Sequence, residues 1–399
     1  MSILVSTVRR SAVVALVAGL LLALFLAGGP SRTTTRVAAQ RLGSYTPVTG
    51  AIFNRPVGTV AQQRAIFTHV NNAIDSTPAG ATIRIAVFSF AEKATADKLI
   101  AAYQRGVSVQ LIFDDHIIYE QEARLRSTIG SNPDRRSFVV FCHKSCRGTS
   151  GNMHDKVFLF SKAGAADNVV MVGSNNMTRH NAVDQWSDIY TVADDPALYF
   201  TYSGVFEQMK YDRAMPSPYI EADVNGYQPQ FYPYPGTTQA TDPLSQILSD
   251  VTCTGTTPTT DPATGQTTAT PVTTSLRISQ HAWNGDRGVY LARQVAGLEQ
   301  AGCDVRVIYG VGMGATVKAI LKNAGVPMSY GRVKGVHTHQ KTLLLSGIYG
   351  DDTAARIVWT GSHNWSDGAL RRDEIIFKVE GQQTYDAYLA NWNDIWKNG

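Results

Sequence analysis

The chain has 399 residues, 44% of them hydrophobic and 17% charged, with 34 Gly, 16 Pro and four Cys. That is enough apolar material to fill the cores of two or three domains, and it excludes a wholly disordered chain. The formal net charge of +4 equals the contribution of Arg9, Arg10, Arg32 and Arg36, which lie in an opening stretch without Asp or Glu; the remainder carries no net charge and so lacks the strong overall basic field of a nucleic-acid binder.

In chain order, residues 1–39 read first as a secretory signal peptide. Arg9-Arg10 precede an apolar run from Ser11 to Leu26, and the small residues Val37-Ala38-Ala39 precede Gln40, so cleavage is expected after Ala39 and the protein is expected to be secreted. An uncleaved membrane anchor is the competing reading, because an apolar run of about 16 to 18 residues lies at the lower edge of a spanning helix. Export permits disulfides, and the spacing predicts the pairs Cys142–Cys146 and Cys253–Cys303. Free thiols or a metal site are the alternatives, the latter disfavoured by the lack of paired CxxC spacing.

From residue 48 onward the chain repeats itself. Residues 51–59 (AIFNRPVGT) resemble 229–237 (PQFYPYPGT), and helix-like stretches follow, Val60 to Ile74 and Asp242 to Val251. Ile83-Arg-Ile-Ala-Val-Phe then matches Leu276-Arg-Ile-Ser-Gln-His, and Gly106-Val-Ser-Val-Gln-Leu-Ile-Phe matches Gly302-Cys-Asp-Val-Arg-Val-Ile-Tyr. Strands separated by helices predict an α/β fold: two similar repeats, each a mainly parallel mixed sheet flanked by helices, packed pseudo-symmetrically with a site at their interface. Both halves close with an aromatic helix, Tyr199, Tyr202 and Phe206 against Tyr385, Tyr388 and Trp392, whose three and four spacing puts each trio on one core-facing stripe. The repeats span 48–211 and 229–399, with a connector at 212–228. Within the second, residues 254–274 hold 11 Thr and three Pro and read as a flexible surface loop.

Each half carries the same polar constellation. The first reads His154-Asp155-Lys156, a strand, a turn, a second strand and Gly173-Ser174-Asn175-Asn176; the second reads His339-Gln340-Lys341 and, after the same elements, Gly361-Ser362-His363-Asn364. Residues two apart on a strand share a face, so His and Lys project together. The inventory suits a phosphoryl group: Lys supplies charge, Ser and Asn supply hydrogen bonds, one His attacks phosphorus and a second protonates the leaving oxygen. Asp188 and Glu374 are the acceptors that can hold the other imidazole nitrogen. A single His-x-Lys is ordinarily a solvated strand residue; two copies in matching repeats, each followed by Gly-Ser-x-Asn, are not. His116 and His281 can line the cleft, His337 and His363 border it, and His69, His143 and His180 read as structural or surface residues.

At these motifs the sequence resembles the phospholipase D superfamily, whose two-domain members carry the HxK and GSxxN-type motif twice. The resemblance implies that His154 and His339 are nucleophile and general acid/base, with His154 attacking. It implies that Lys156, Lys341, Asn176 and Asn364 bind phosphate assisted by Ser174 and Ser362, that Asp188 and Glu374 orient the histidines, and that no metal or organic cofactor is required. The family's Asp five residues after the Lys is Ser161 in one half and Ser346 in the other, a departure that bears on specificity more than on chemistry. The implied activity is a phospholipase D-type phosphodiesterase on phospholipids such as phosphatidylcholine at a membrane surface, without an obligatory protein partner. The connector rings Tyr211, Tyr219, Tyr227, Phe231, Tyr232 and Tyr234 suit either that interface or a packed linker. A secreted endonuclease on DNA or RNA and a non-catalytic phosphate-binding module are the alternatives.

Overall fold

Each half starts as alternating strand and helix because short, nearly continuous apolar runs alternate with stretches whose apolar residues recur at period 3.6. In the computed structural model, which describes residues 43–398, the first repeat runs β1 (Gly50–Phe53), α1 (Ala65–Asp75), β2 (Thr82–Val87), α2 (Lys93–Gln104), β3 (Ser108–Asp114), α3 (Glu120–Ile129), β4 (Phe138–Cys142), β5 (Lys156–Ala163), β6 (Ala166–Gly173), β7 (Asp188–Val192) and α4 (Pro196–Met209). The second runs β8 (Gln228–Phe231), α5 (Pro243–Ser249), β9 (Ser275–Asn284), α6 (Gly285–Gln300), β10 (Asp304–Met313), α7 (Ala315–Asn323), β11 (Met328–Ser329), β12 (Lys341–Tyr349), β13 (Asp352–Gly361), β14 (Ile375–Glu380) and α8 (Gln382–Asn398). The expected signal segment 1–39 lies outside the described residues. Among the described residues no helix is long and apolar enough to cross a membrane.

The two sheets have the same strand order, β1-β7-β6-β5-β2-β3-β4 in the first repeat and β8-β14-β13-β12-β9-β10-β11 in the second. Along these orders the parallel pairs are β2–β3–β4 and β9–β10–β11, where helices make the crossovers. The other neighbours along these orders are antiparallel. Because that part simply alternates, β1, β2, β3, β4 and β6 all run one way, so each sheet is mixed with a parallel majority of strands.

Both faces of each sheet are covered, which explains why the strands read as nearly continuous apolar runs. In β5, Val157 and Leu159 join one buried cluster while Phe158 and Phe160 join another with Phe67, Val70 and Leu99 from α1 and α2. The first of these clusters is the seam. It unites the inner faces of both sheets with α4 and α8, and the six aromatic residues read from the sequence are all buried in it. Rings meet across the repeats: Phe53 lies edge-on to Tyr388 at 4.9 Å and Tyr202 to Phe377 at 6.2 Å. Each such side chain contributes about 1.5–3 kcal/mol by leaving water, so the seam is a shared core.

Two expectations change. The Thr/Pro-rich stretch is a hairpin, Thr254–Thr260 paired antiparallel with Thr267–Thr273, although most of it is exposed. Burial does not drive it. β-Branched Thr favours the extended backbone, and hydroxyls pair across the strands, Thr259 with Thr270 at 3.0 Å and Thr260 with Thr267 at 2.9 Å, while Cys253–Cys303 closes the base. The connector is structural rather than a membrane-facing belt. Ile220–Glu221 extends the second sheet beyond β8, Phe231 and Tyr232 are buried, and Tyr219 stacks on Tyr234 at 4.2 Å; only Tyr211 stands out into solvent.

Candidate active site

Each histidine sits two residues before the start of its strand, Lys156 or Lys341, and its backbone is held by the opposite repeat. The His154 backbone N–H donates to the Asp373 carbonyl at 3.0 Å, and that of His339 donates to the Trp186 carbonyl at 2.8 Å. His337–Thr338 also forms a short parallel bridge with Gln185–Trp186. The segment preceding each acidic residue therefore carries the other repeat's histidine. Within each repeat, glycine lets the Gly-Ser motif lie against the strand that carries the acidic residue: a Cβ on Gly173 would meet the Asp188 carbonyl oxygen at 2.2 Å, and one on Gly361 would meet that of Ile375 at 2.1 Å.

His154 Nδ1 lies 2.9 Å from Glu374 Oε2, so Nδ1–H donates to the carboxylate and Nε2 keeps its lone pair. His339 is held differently. Its Nδ1 lies 2.8 Å from the Ser174 carbonyl oxygen, and Asp188 makes no hydrogen bond to it. The expectation that Asp188 orients a histidine is corrected for a simple reason: its oxygens already accept from the hydroxyls of Ser174 (2.6 Å), Tyr388 (2.9 Å) and Thr360. The expectation that Ser174 and Ser362 bind substrate changes with it. Both are buried, Ser174 on Asp188 and Ser362 on the segment holding Glu374, where its hydroxyl oxygen accepts the Ile375 N–H at 3.0 Å. They hold the acids.

Lys156 and Lys341 are buried, and each ammonium donates to the carbonyl of its own motif histidine; Lys341 Nζ also lies 3.3 Å from His339 Nε2. Asn364 Oδ1 accepts the Ala282 N–H at 3.2 Å, which fixes its amide, while Asn176 Oδ1 is buried without a partner. Burial pushes Lys156 down to about 7, against the pull of Glu374 and Asp155, and pushes Lys341 well down with help from the Lys156 charge. Both imidazoles are held well below their ordinary value, first by burial and then by neighbouring basic groups: Lys156, Arg372 and Lys341 for His154, and Lys341, His281 and Lys156 for His339. Burial raises Glu374 to about 7 against the pull of Lys156 and Arg372. These groups from both repeats act on one another's protonation and so share one electrostatic environment.

Rings flank both histidines. Phe88 lies 4.8 Å from His154 and stacks on His116 at 4.0 Å; at the matching position His281 lies 4.5 Å from His339 and 5.6 Å from His337. His116 thus stacks on the ring beside His154 and His281 lies beside His339, whereas His363 is buried against Tyr232 and Arg287. His69 is a core residue bonded to Tyr45 and Thr191, and His143 and His180 are on the surface. Sequence reasoning missed Arg372, although it stands two residues before Glu374, and Asn181, whose Nδ2 is 3.3 Å from His339 Nδ1. Among the described residues no three His, Cys, Asp or Glu side chains converge as a metal site requires. Both expected disulfides are formed, and no cysteine is free.

Residues 71–210 match the family model described as Cardiolipin synthase, PLD-like domain. No curated protein matches the chain. Among solved structures it is similar to phosphatidylserine synthase from Haemophilus influenzae Rd KW20, at 13% identity and a TM-score of 0.57, covering 87% of this chain and 86% of that one. It is also similar to polyphosphate kinase from Porphyromonas gingivalis, at 10% identity and a TM-score of 0.51, covering 86% of this chain and 49% of that one, so it spans about half that protein's length. Nuc from Salmonella typhimurium, a phospholipase D family member, matches at 19% identity and a TM-score of 0.28, over 40% of this chain and 93% of that one. The fold is the phospholipase D-like one, a mixed α/β architecture with helices on its sheets. Over residues 71–210 the chain is similar to the phospholipase D-like family.

Proposed function

We propose that this chain is a secreted phosphodiesterase that cleaves or exchanges the head group of phospholipids through a phosphohistidine on His154. The observation that carries the reading is that the carboxylate-backed His154 and a second imidazole, His339, from the other repeat lie within electrostatic reach of each other and of Lys156 and Lys341. His154 Nε2 attacks phosphorus, and the bond to the leaving oxygen breaks as His339 Nε2–H gives that oxygen its proton. Water then attacks, His339 takes its proton, the P–N bond breaks and His154 is restored. The lysines and Arg372 offset charge on the phosphoryl oxygens, while Glu374 stabilises the cationic imidazole. Burial and the Lys341 charge hold His339 below its ordinary value, and a phosphodiester anion beside it favours the imidazolium needed for the first proton transfer.

Lipid rather than nucleic acid is supported by the lack of net charge beyond residue 39 and by the rim. Ile117 and Ile118, next to His116, are 54% and 50% exposed, and Tyr330 and Val333 are exposed on the loop leading to His337, beside exposed Arg332 and Lys334. Exposed apolar side chains from both repeats beside two cations fit an anionic or zwitterionic membrane surface. The test incubates the protein with phosphatidylcholine vesicles and, separately, with plasmid DNA, in chelator. Choline release with acid-labile phosphate on His154 is expected; nicking alone makes the protein a nuclease, and turnover of neither substrate leaves a binding module.

A further inference from the structure

The loop joining β4 to β5 has no role in the chemistry above, yet it is built onto the site. Cys142–Cys146 closes its first turn, and both residues are buried. Across the repeat boundary it meets Asp373 in three ways. The Cys146 backbone N–H donates to Asp373 Oδ2 at 2.6 Å, Arg147 Nε lies 3.5 Å from Asp373 Oδ1, and the Asp373 N–H donates to the Asn152 carbonyl at 3.1 Å. Arg147 is fixed in turn, its guanidinium donating to the Pro218 carbonyl at 2.8 Å and to the Tyr232 carbonyl. Gly151, at φ +80°, lies so flush on the second repeat that a Cβ would fall 2.1 Å from the Arg371 carbonyl oxygen.

Asp373 stands between this loop and the reacting groups. Its carbonyl accepts the His154 N–H at 3.0 Å, and its neighbour Glu374 holds His154 Nδ1 at 2.9 Å. We propose that Asp373 is a positioning residue through which the Cys142–Cys146 disulfide sets the His154–Glu374 pair, so that the chain turns over phosphodiesters only once that disulfide has formed. This rests on the phosphodiesterase reading. The bond forms by thiol–disulfide exchange with an extracytoplasmic protein disulfide: the two cysteine thiols give up two protons and two electrons, and the oxidant leaves as a dithiol. Burial of both residues makes this a single maturation step during folding rather than a reversible switch. Before export, the chain would hold every motif but an unpositioned nucleophile, which spares the phosphodiesters of the cell that makes it.

The experiment compares full chains of the wild type, Cys142→Ser/Cys146→Ser, Asp373→Asn, the triple combination, and Cys253→Ser/Cys303→Ser as the control disulfide in the outer cluster. Each is assayed for kcat and KM and for the His154 Nδ1–H proton resonance, identified by its loss in His154→Gln. Loss of the Cys142–Cys146 bond and Asp373→Asn should each lower kcat about 10- to 100-fold at little-changed KM and broaden or shift the resonance, as expected when support behind a reacting group is removed. The triple variant should lose no more than the worse parent, and the control should stay within about twofold, because only residues on one path are non-additive. An unmoved resonance and kcat in Asp373→Asn, or losses that multiply in the triple variant, overturn the proposal. If the Cys142→Ser/Cys146→Ser chain shows no cooperative melting, Asp373→Asn, which keeps both disulfides, decides alone. A wild type without turnover removes the phosphodiesterase reading, and the Nδ1–H resonance still decides the positioning.

Discussion

Two imidazoles that look equivalent in the motifs are not equivalent in the pocket. His154 leans on a carboxylate and His339 on a carbonyl, and a full negative charge stabilises an imidazolium or phosphohistidine better than a dipole does. Glu374→Gln should therefore lower kcat by about 10²–10⁴, the range seen when a base loses its orienting acid, and by more than Asp188→Asn, in steady-state assays of folded protein. The reverse ranking would make His339 the nucleophile. The pH profile follows from the same groups. Turnover requires Glu374 ionised and Lys156 protonated, and burial brings both to about 7, so kcat/KM should trace a narrow bell centred near neutrality. A bound phosphate anion raises the lysine, which then stays charged to higher pH, so the alkaline limb of kcat should lie above that of kcat/KM. At this scale His154, Lys156, Asn176 and their counterparts were legible because strand geometry fixes which side chains project together. What holds each ring was not: Glu374 reaches His154 from 220 residues away, and the Ser174 carbonyl reaches His339 from 165.

Among elements, α5 and α6 are tied by a buried ion pair that no motif announced. Asp242 caps α5 through the Leu244 N–H and holds the Arg287 guanidinium with two contacts of 2.7 and 2.9 Å, both residues being buried. Burial pushes the Asp242 carboxyl up, but the Arg287 hydrogen bonds and charge overcome it and hold the carboxyl below its ordinary value. The contribution is thus present above the ordinary carboxylate value and fades as pH falls through the lowered one. Asp242→Ala leaves a buried cation unpaired and should cost about 3–5 kcal/mol in urea denaturation. The hairpin behaves oppositely. Residues 256–271 are mostly exposed, so replacing them with a short Gly-Ser turn should leave turnover unchanged and move the melting temperature by only a few degrees, about 1 kcal/mol or less. The strands and helices of the core were legible from periodicity. The hairpin was not, since its order comes from main-chain pairing and Thr hydroxyls rather than from an apolar pattern.

The whole molecule is one object because the inner faces of both sheets share a core. Expressed alone, residues 48–211 would present Val157, Leu159, Val170, Tyr199 and Tyr202 to water, so size-exclusion chromatography should show self-association rather than a stable monomer. His154→Ala and His339→Ala should each remove nearly all turnover, and neither loss should be relieved by the intact histidine of the other repeat. The sequence by itself determined the duplication, the mixed α/β repeats, both disulfides and the residue types at the two motifs. Local chemistry suffices for these: periodicity sets the element, spacing sets the face, and paired cysteines follow from loop closure. Only the tertiary structure decided that Glu374 backs His154, that Asp188 and the two motif serines are committed to internal hydrogen bonds, and that the connector rings other than Tyr211 are packed against the second repeat. Those outcomes depend on which side chain reaches a partner first when two remote segments are pressed together, and distance in space is not written in the order of residues.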